Sequence, residues 1–416
     1  MAKKMPETPM LDQLESGPWP SFVTNLKRLA QTDDKQYADR MKDLLGQLEY
    51  SYKNIKGYWK GGTVGVRGYG GGVIPRFSEV ADKFPLSAEF HTLRIMPSPG
   101  YHYSTEALRK MCDIWEEHGT GLIALHGQSG DIMMQGCSTE QVQKAFDALN
   151  EYGFDMGGAG PCLRSSQACV GAARCEFSCY DEGRAMRTII NNQIDDLHRP
   201  SLPYKFKFKF SGCPNDCADA IHRSDGAVIG TWKDDIRVDQ QEFKTYVAER
   251  GRKDIIDNVI TRCPTKAMSL NDNDTVEVDN KSCVRCMHCI NVLPKALRPG
   301  KVRGCAILLG GKHTLQIGDL MGVPVVPFMR LETDEDYEKL KEFATRIVEF
   351  FAENALEHER FGEMLERIGV ANVVEGLGLD IDLNMVVQPR SNPYVRMDDW
   401  EDQAKKWNQR KAVAAE

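Results

Sequence analysis

"YKFKFKFSGCPNDC", residues 204–217, decides how the rest of the chain is read. Lys205, Lys207 and Lys209 alternate with Phe206, Phe208 and Phe210, and a strand's period of two sends the two sets to opposite faces. The phenylalanine face suits a core. The lysine face admits two readings: the solvated side of an amphipathic strand, or a cationic wall for an anion. Two facts weigh against the solvated side. The lysines run directly into Cys213 and Cys217, spaced as metal ligands, and they lie in a chain of formal charge −7.

The 416 residues suffice for two or three packed domains. A content of 41% hydrophobic and 27% charged residues is that of a globular protein and excludes wholesale disorder. With a pI of about 5.8, no global feature points to nucleic acid. "MAKKMPETPMLDQLESGPWP" (1–20) lacks the apolar core of a signal peptide, and no apolar run reaches the ~18–20 residues of a membrane span. A cytoplasmic protein that does not itself span a membrane is expected. Thirteen cysteines in such a chain point to metal or redox chemistry rather than disulfides, and ten of them fall between Cys162 and Cys289.

Residues 1–56 are polar with apolar positions at helical spacing. "GGTVGVRGYGGGVIPRF" (61–77) fits no phosphate-loop spacing; its glycines imply close backbone approach to a large ligand, or plain turns. From 85 to 160 strands and helices alternate: "FHTLRIM", "STEALRKMCDIWEEHG", "GLIALHG" and "STEQVQKAFDALNEYG". "GDLMGVPVVPFM" reads as a buried strand. "DYEKLKEFATRIVEFFAENA" places Tyr337, Leu340, Phe343, Ile347 and Phe351 on one helical face, as core packing requires. The tail, 391–416, reads as a charged peripheral arm.

Cys169 and Cys175 stand in "CVGAARC", Cys213 and Cys217 in "CPNDC". Two such pairs can supply four thiolates to a [4Fe–4S] cubane. Zinc is the competitor, although C-x5-C is wide for it, and metal-free buried thiols are a third possibility. A second set is sharper. "CVRCMHC" (283–289) is C-x2-C-x2-C, the spacing that wraps three thiolates round one cubane, and "RCPTKAM" (262–268) offers the Cys-Pro that completes such a set. Cys263, Cys283, Cys286 and Cys289 would therefore make one complete ligand group, as in half of a two-cluster ferredoxin; metal-free thiols at this spacing are the alternative. Cys112, Cys137, Cys162, Cys179 and Cys305 read as small buried hydrophobes, with Cys162 and Cys179 as alternative ligands to the first group.

C-x5-C followed by C-x3-C, with "GGAGPCLRSSQAC" (157–169) upstream, resembles the signature of sirohaem sulfite and nitrite reductases. With "GYGGGVIPR", "KFKFKFSGCPNDC" and the cysteine-bearing insert, the chain is similar over nearly its whole length to the alpha subunits of dissimilatory sulfite reductases. That resemblance implies an α+β fold, a sirohaem sulfite/nitrite reductase-like half with an inserted ferredoxin-like [4Fe–4S] domain. The divisions would be 1–160, then 161–232 with 312–416, and 233–311 as the insert. It implies sirohaem and two [4Fe–4S] clusters per chain, with Cys217 also bridging to the sirohaem iron.

The family places two lysines and two arginines round iron-bound sulfite. Arg164 in "PCLRSS" matches one arginine and Arg94 in "HTLRIM" is taken for the other, with Lys205, Lys207 and Lys209 supplying the lysines. Arg76 would pair with a sirohaem carboxylate. In fused relatives the cations of one half face the haem held by the other, so these five would serve a sirohaem on a homologous beta subunit, in an α2β2 assembly. A small sulfur-carrier protein with reactive cysteines is a further implied partner, and the second cluster would be the electron entry port. A sirohaem nitrite reductase or an assimilatory sulfite reductase shares the motifs; a non-catalytic polyferredoxin would carry iron and sulfide without sirohaem.

Overall fold

A computed structural model describes residues 3–17, 22–127, 129–314 and 318–380. The tail expected as a peripheral arm lies outside the described residues. Two compact units result: Met1–Cys175 with Glu182–Phe210 and Tyr337–His358, and Glu176–Asp181 with Ser211–Asp336 and Glu359–Glu416. These boundaries differ from the expected ones at 160/161, 232/233 and 311/312. The expected insert, 233–311, lies whole inside the second unit. The reason is the strand Arg303–Leu309 at its end, which pairs antiparallel along its full length with Gly226–Trp232, the strand just before the insert.

The first unit begins with helices Pro9–Glu15, Phe22–Leu29 and Lys35–Asn54, whose Leu11, Leu26, Met41 and Leu44 share one core. Asp34 caps the third by accepting the backbone N–H groups of Gln36 and Tyr37. A four-stranded antiparallel sheet follows, in the order Val73–Ile74, His91–Ile95, Ile132–Cys137, Leu122–Leu125. Every residue of His91–Ile95 is buried, Arg94 included. Helices Thr105–His118 and Thr139–Glu151 bury Ile114, Trp115, Val142 and Phe146 in the same core as the sheet's Leu93 and Met134, giving the expected α+β layer. The stripe Tyr337, Leu340, Phe343, Ile347 and Phe351 on helix Asp334–Asn354 is buried as its spacing predicts, and Phe351 packs on Phe206 at 5.3 Å between ring centroids.

The glycine-rich stretch makes its close approach to the protein's own backbone. Gly70 and Gly71 donate to the His198 carbonyl at 2.7 and 2.9 Å. A Cβ at Gly72, where φ is +84°, would lie 2.9 Å from the Gly157 oxygen.

In the second unit, Gly226–Trp232, Arg303–Leu309 and Val323–Arg330 form an antiparallel ladder. "GDLMGVPVVPFM" is two strands, Gly318–Leu320 and Val323–Arg330, and the second is only partly buried. Pro324 and Pro327 cannot donate to a neighbour, which suits a partly exposed edge and corrects the expectation of a fully buried strand. Between the ladder strands, hairpin Met268–Leu270/Val276–Val278 and pair Arg237–Val238/Leu297–Arg298 enclose a core of Trp232, Phe243, Ile290 and Leu293. Among the described residues no helix is long and apolar enough to cross a membrane.

Candidate functional site

Two distant motifs of the first unit run side by side. Leu163 bridges to Phe206 in parallel, and Gln167 and Ala168 face Lys209 and Phe210. Arg164 N–H donates to the Phe206 carbonyl at 2.8 Å and Cys169 N–H to that of Phe210 at 2.9 Å. Sequence spacing could not show this register. It lays "PCLRSSQAC" against the lysine stretch.

The lysines do not share one solvated face. The strand proper is Phe208–Ser211, buried at all four positions, so Lys209 is 2% exposed while Lys205 and Lys207 outside it are half-buried. The expected three-lysine strand is thus shorter than its alternation suggests. Phe206, Phe208 and Phe210 are all buried, as expected.

Arg94 sits in the fully buried strand His91–Ile95 and is held by Asp131, just before strand Ile132–Cys137. Its Nε donates to Asp131 Oδ2 at 3.0 Å, and its Nη2 donates to the same oxygen and to Ser129 Oγ at 2.6 Å. Ser129 donates on to Asp131 at 2.5 Å, and His126 Nδ1 lies 2.7 Å from Ser129 Oγ. Asp131 is 0% exposed, and its ion pair and hydrogen bonds with Arg94 and Ser129 offset the cost of burying both polar groups. Burial lowers the pKa of His126; Arg94 lowers it further against Asp131, and Lys207 and Arg164 act the same way. Arg94, Arg164 and Lys207 thus all disfavour the charged form of one imidazole. Arg164 is braced by two bonds to the Gly160 carbonyl, at 3.1 and 3.0 Å. Lys205 stands over the Tyr204 ring at 5.0 Å. Arg76, half-buried, has no ion pair among the described residues.

His126, Ser129 and Asp131 were missed from sequence. "HGQSGD" reads as a turn, and the only signal was a buried strand arginine in need of a carboxylate, whose place depends on sheet register.

The first cysteine group is divided between the units. In the first unit, Cys175 N–H donates to the Gly171 carbonyl at 2.8 Å, and buried Glu182 accepts the Ala172 N–H at 3.0 Å, which fixes the "CVGAARC" turn. In the second unit, Cys213 is buried and Cys217 exposed. Asp216 holds their loop, its carboxylate accepting from Ser211 Oγ at 2.6 Å, Ala220 N–H at 2.8 Å and Ile221 N–H at 3.0 Å. Of the remaining cysteines, Cys137, Cys162, Cys179 and Cys305 are buried as expected, whereas Cys112 is exposed on helix Thr105–His118.

The second group is brought together. Cys263, Cys283, Cys286 and Cys289 line one recess with Pro264, Val284 and Arg285. Arg285 and Met287 take left-handed backbone, φ 56° and 68°, so the chain turns sharply at alternate residues as it passes the thiols. Ala267 N–H donates to Cys263 Sγ at 3.2 Å. Burial, and then the nearby Cys283, Cys286 and Cys263, push the Cys289 thiol up to about 12. Four mutually repelling thiolates without a cation would be unstable. Among the described residues no three His, Cys, Asp or Glu side chains are set to hold a single metal ion.

Comparison with known proteins shows the family. The family pattern of the nitrite and sulphite reductase 4Fe-4S domain matches residues 159–384. A sulfite reductase, dissimilatory-type subunit alpha, from Allochromatium vinosum is 61% identical, covering 98% of each chain. Its namesake from Nitratidesulfovibrio vulgaris is 44% identical, covering 93% of each. A crystal structure of dissimilatory sulfite reductase I superposes with a TM-score of 0.85 at 41% identity, covering 95% of each chain.

Proposed function

Because the chain belongs to the alpha subunits of dissimilatory-type sulfite reductases, an oxidoreductase family whose domain carries a 4Fe-4S cluster, we propose that its cationic pocket binds sulfite for six-electron reduction towards sulfide, or towards a trisulfide on a carrier. The observation that carries this reading is a buried arginine, Arg94, held by Asp131 and Ser129, in the unit where the segment of Arg164 lies beside the lysine stretch.

Cys169, Cys175, Cys213 and Cys217 would hold one [4Fe–4S] cluster, with Cys217 shared with sirohaem, and Cys263, Cys283, Cys286 and Cys289 a second. The residues fit. Ser165 Oγ, Ser166 Oγ and Gln167 Oε1, beside Cys169, are buried without a hydrogen-bond partner among the described residues, as is Asp131 Oδ1, so polar groups there await a ligand. Thiols that ring a recess without converging on one point suit a cubane better than zinc, whose four sulfurs lie only about 2.3 Å from one centre. The free guanidinium of Arg76 suits a macrocycle carboxylate. When bound, these groups would supply the electrons for the reduction.

This chain's residues do the rest. Arg94, fixed by Asp131, offers a charge that needs no reorganisation when the anion arrives. Arg164 and Lys207 add donors, and Lys205 and Lys209 add positive potential. Reducing sulfite to hydrosulfide consumes seven protons and releases three waters, since sulfur passes from +4 to −2. His126, held 2.7 Å from Ser129 Oγ, and Lys207 are this chain's candidate proton donors. The pocket would serve a sirohaem on a homologous beta subunit in an α2β2 assembly, with a small cysteine-bearing sulfur carrier taking the product, in the cytoplasm. The segment 233–311 would act as a ferredoxin-like electron entry module.

The test is Lys207→Met in the purified complex. Sulfite turnover should fall at least ~10²-fold while iron and porphyrin content hold; unchanged turnover assigns the lysine to packing. An absorbance spectrum lacking reduced-porphyrin bands would instead favour an electron carrier.

A further inference from the structure

We propose that the rim of the recess lined by Cys263, Cys283, Cys286 and Cys289 is a docking face for an acidic electron-carrier protein, seated by Arg262, Lys266 and Lys281. The proposal rests on the reading of these four cysteines as cluster ligands.

Arg262, Lys266 and Lys281 are exposed, and none forms an ion pair among the described residues. Arg285, which lines the recess, donates to the Lys233 carbonyl at 3.0 Å and so keeps its charge unpaired as well. No carboxylate occurs within two residues of any of the four cysteines. The wider segment, 233–311, holds fourteen Lys or Arg against eleven Asp or Glu, in a chain of net charge −7. Several of its carboxylates have partners of their own: Asp254 pairs with Arg250 at 2.7 Å, Asp274 with Arg252, and Asp234 accepts from Lys301 and Val302 N–H. Asp279 accepts from Lys281 N–H and Ser282 Oγ.

Arg262, Lys266 and Lys281 flank recess-lining residues in sequence, and that lining includes an exposed cysteine, Cys286, and an apolar contact, Val284, 39% exposed. An apolar point flanked by one sign of charge suits a brief encounter with an oppositely charged surface. Charge governs the rate of meeting, and the small apolar contact lets the partner leave. The competing explanation is that these cations only offset the thiolates' own charge. That would alter the redox centre equally towards every reductant, whereas a docking face discriminates by the reductant's charge.

The complete complex carrying Arg262→Glu, Lys266→Glu and Lys281→Glu separates the two. Stopped-flow reduction by a purified acidic plant-type ferredoxin, followed at the iron–sulfur absorbance, should slow at least ~10-fold at low salt, and the wild-type salt dependence should flatten. Reduction by methyl viologen radical, a small cation, should stay within about twofold. Equal slowing with both reductants, or none with ferredoxin, overturns the docking face. Loss of the beta subunit from the variant also overturns it and assigns the rim to assembly. If the Cys263→Ser complex contains as much iron as the wild type, it is the cluster reading that fails.

Discussion

Asn215 and Asn291 exchange their side-chain amides: Asn215 Nδ2 donates to Asn291 Oδ1 at 3.0 Å and Asn291 Nδ2 to Asn215 Oδ1 at 2.7 Å. Asn215 stands between Cys213 and Cys217, and Asn291 two residues beyond Cys289. The pair ties the "CPNDC" loop to the short helix His288–Val292 that carries a cysteine of the other group. Its geometry is reciprocal, but both residues are exposed, so its worth is modest, about 0.5–1.5 kcal/mol. A double-mutant cycle of Asn215→Ala and Asn291→Ala on unfolding free energy should return a coupling of that size. Either variant should also speed amide exchange over 213–218.

Asp131 is the buried support of Arg94. Asp131→Ala leaves a guanidinium 6% exposed without its carboxylate, at a cost of about 3–5 kcal/mol. Chemical denaturation should show that loss. Asp131→Asn, which keeps the shape and part of the bonding, should lose less stability but still lower sulfite turnover.

Gly230 sets the approach of Gly212, the residue before Cys213. A Cβ at 230 would fall 1.9 Å from the Gly212 carbonyl oxygen, a backbone atom that cannot swing away. Gly230→Ala should cost about 1–3 kcal/mol and reduce iron bound at the first group while leaving the second loaded. Iron analysis of Gly230→Ala and its combination with Cys289→Ser would distinguish the two groups.

His91 gives the protein an acid-side instability. Arg76 N–H donates to its Nδ1 at 3.1 Å, so Nδ1 is the acceptor, the ring is neutral, and Nε2, 2.9 Å from Thr139 Oγ1, carries the proton. Burial lowers its pKa, Glu89 partly opposes this, and Arg40 adds to it. The unfolded chain binds a proton near pH 6.5 that the folded chain refuses. Stability should be flat above that pH and decline as pH falls towards the folded-state pKa. His126, shifted in the same direction, adds to the decline. Urea midpoints for wild type and His91→Gln at about pH 7.5 and 5.5 check this; an equal acid loss in the variant would assign it to other groups.

Much of the candidate site was legible because its signals are local. The C-x2-C-x2-C spacing with its upstream Cys-Pro named four residues that do line one recess. The helices of 105–118 and 139–151 and the stripe on 334–354 followed from a period that depends only on neighbours in sequence. What failed was not local. The apolar content of 318–329 points to a buried strand, but it cannot reveal that Val323–Arg330 has a neighbour on only one side among the described residues. Lys209 was grouped with Lys205 and Lys207, although the buried strand covers only its end of the stretch.

The sequence by itself determined which residues are candidates for the chemistry here, since cysteine spacing and side-chain charge are properties of short stretches. Only the tertiary structure decided which of them meet. Arg94 finds Asp131 across a strand pairing that joins residues 37 positions apart, and Arg164 comes beside Phe206 through a parallel bridge. Such partners are chosen by strand register, and register is set by the burial of whole faces rather than by any single motif.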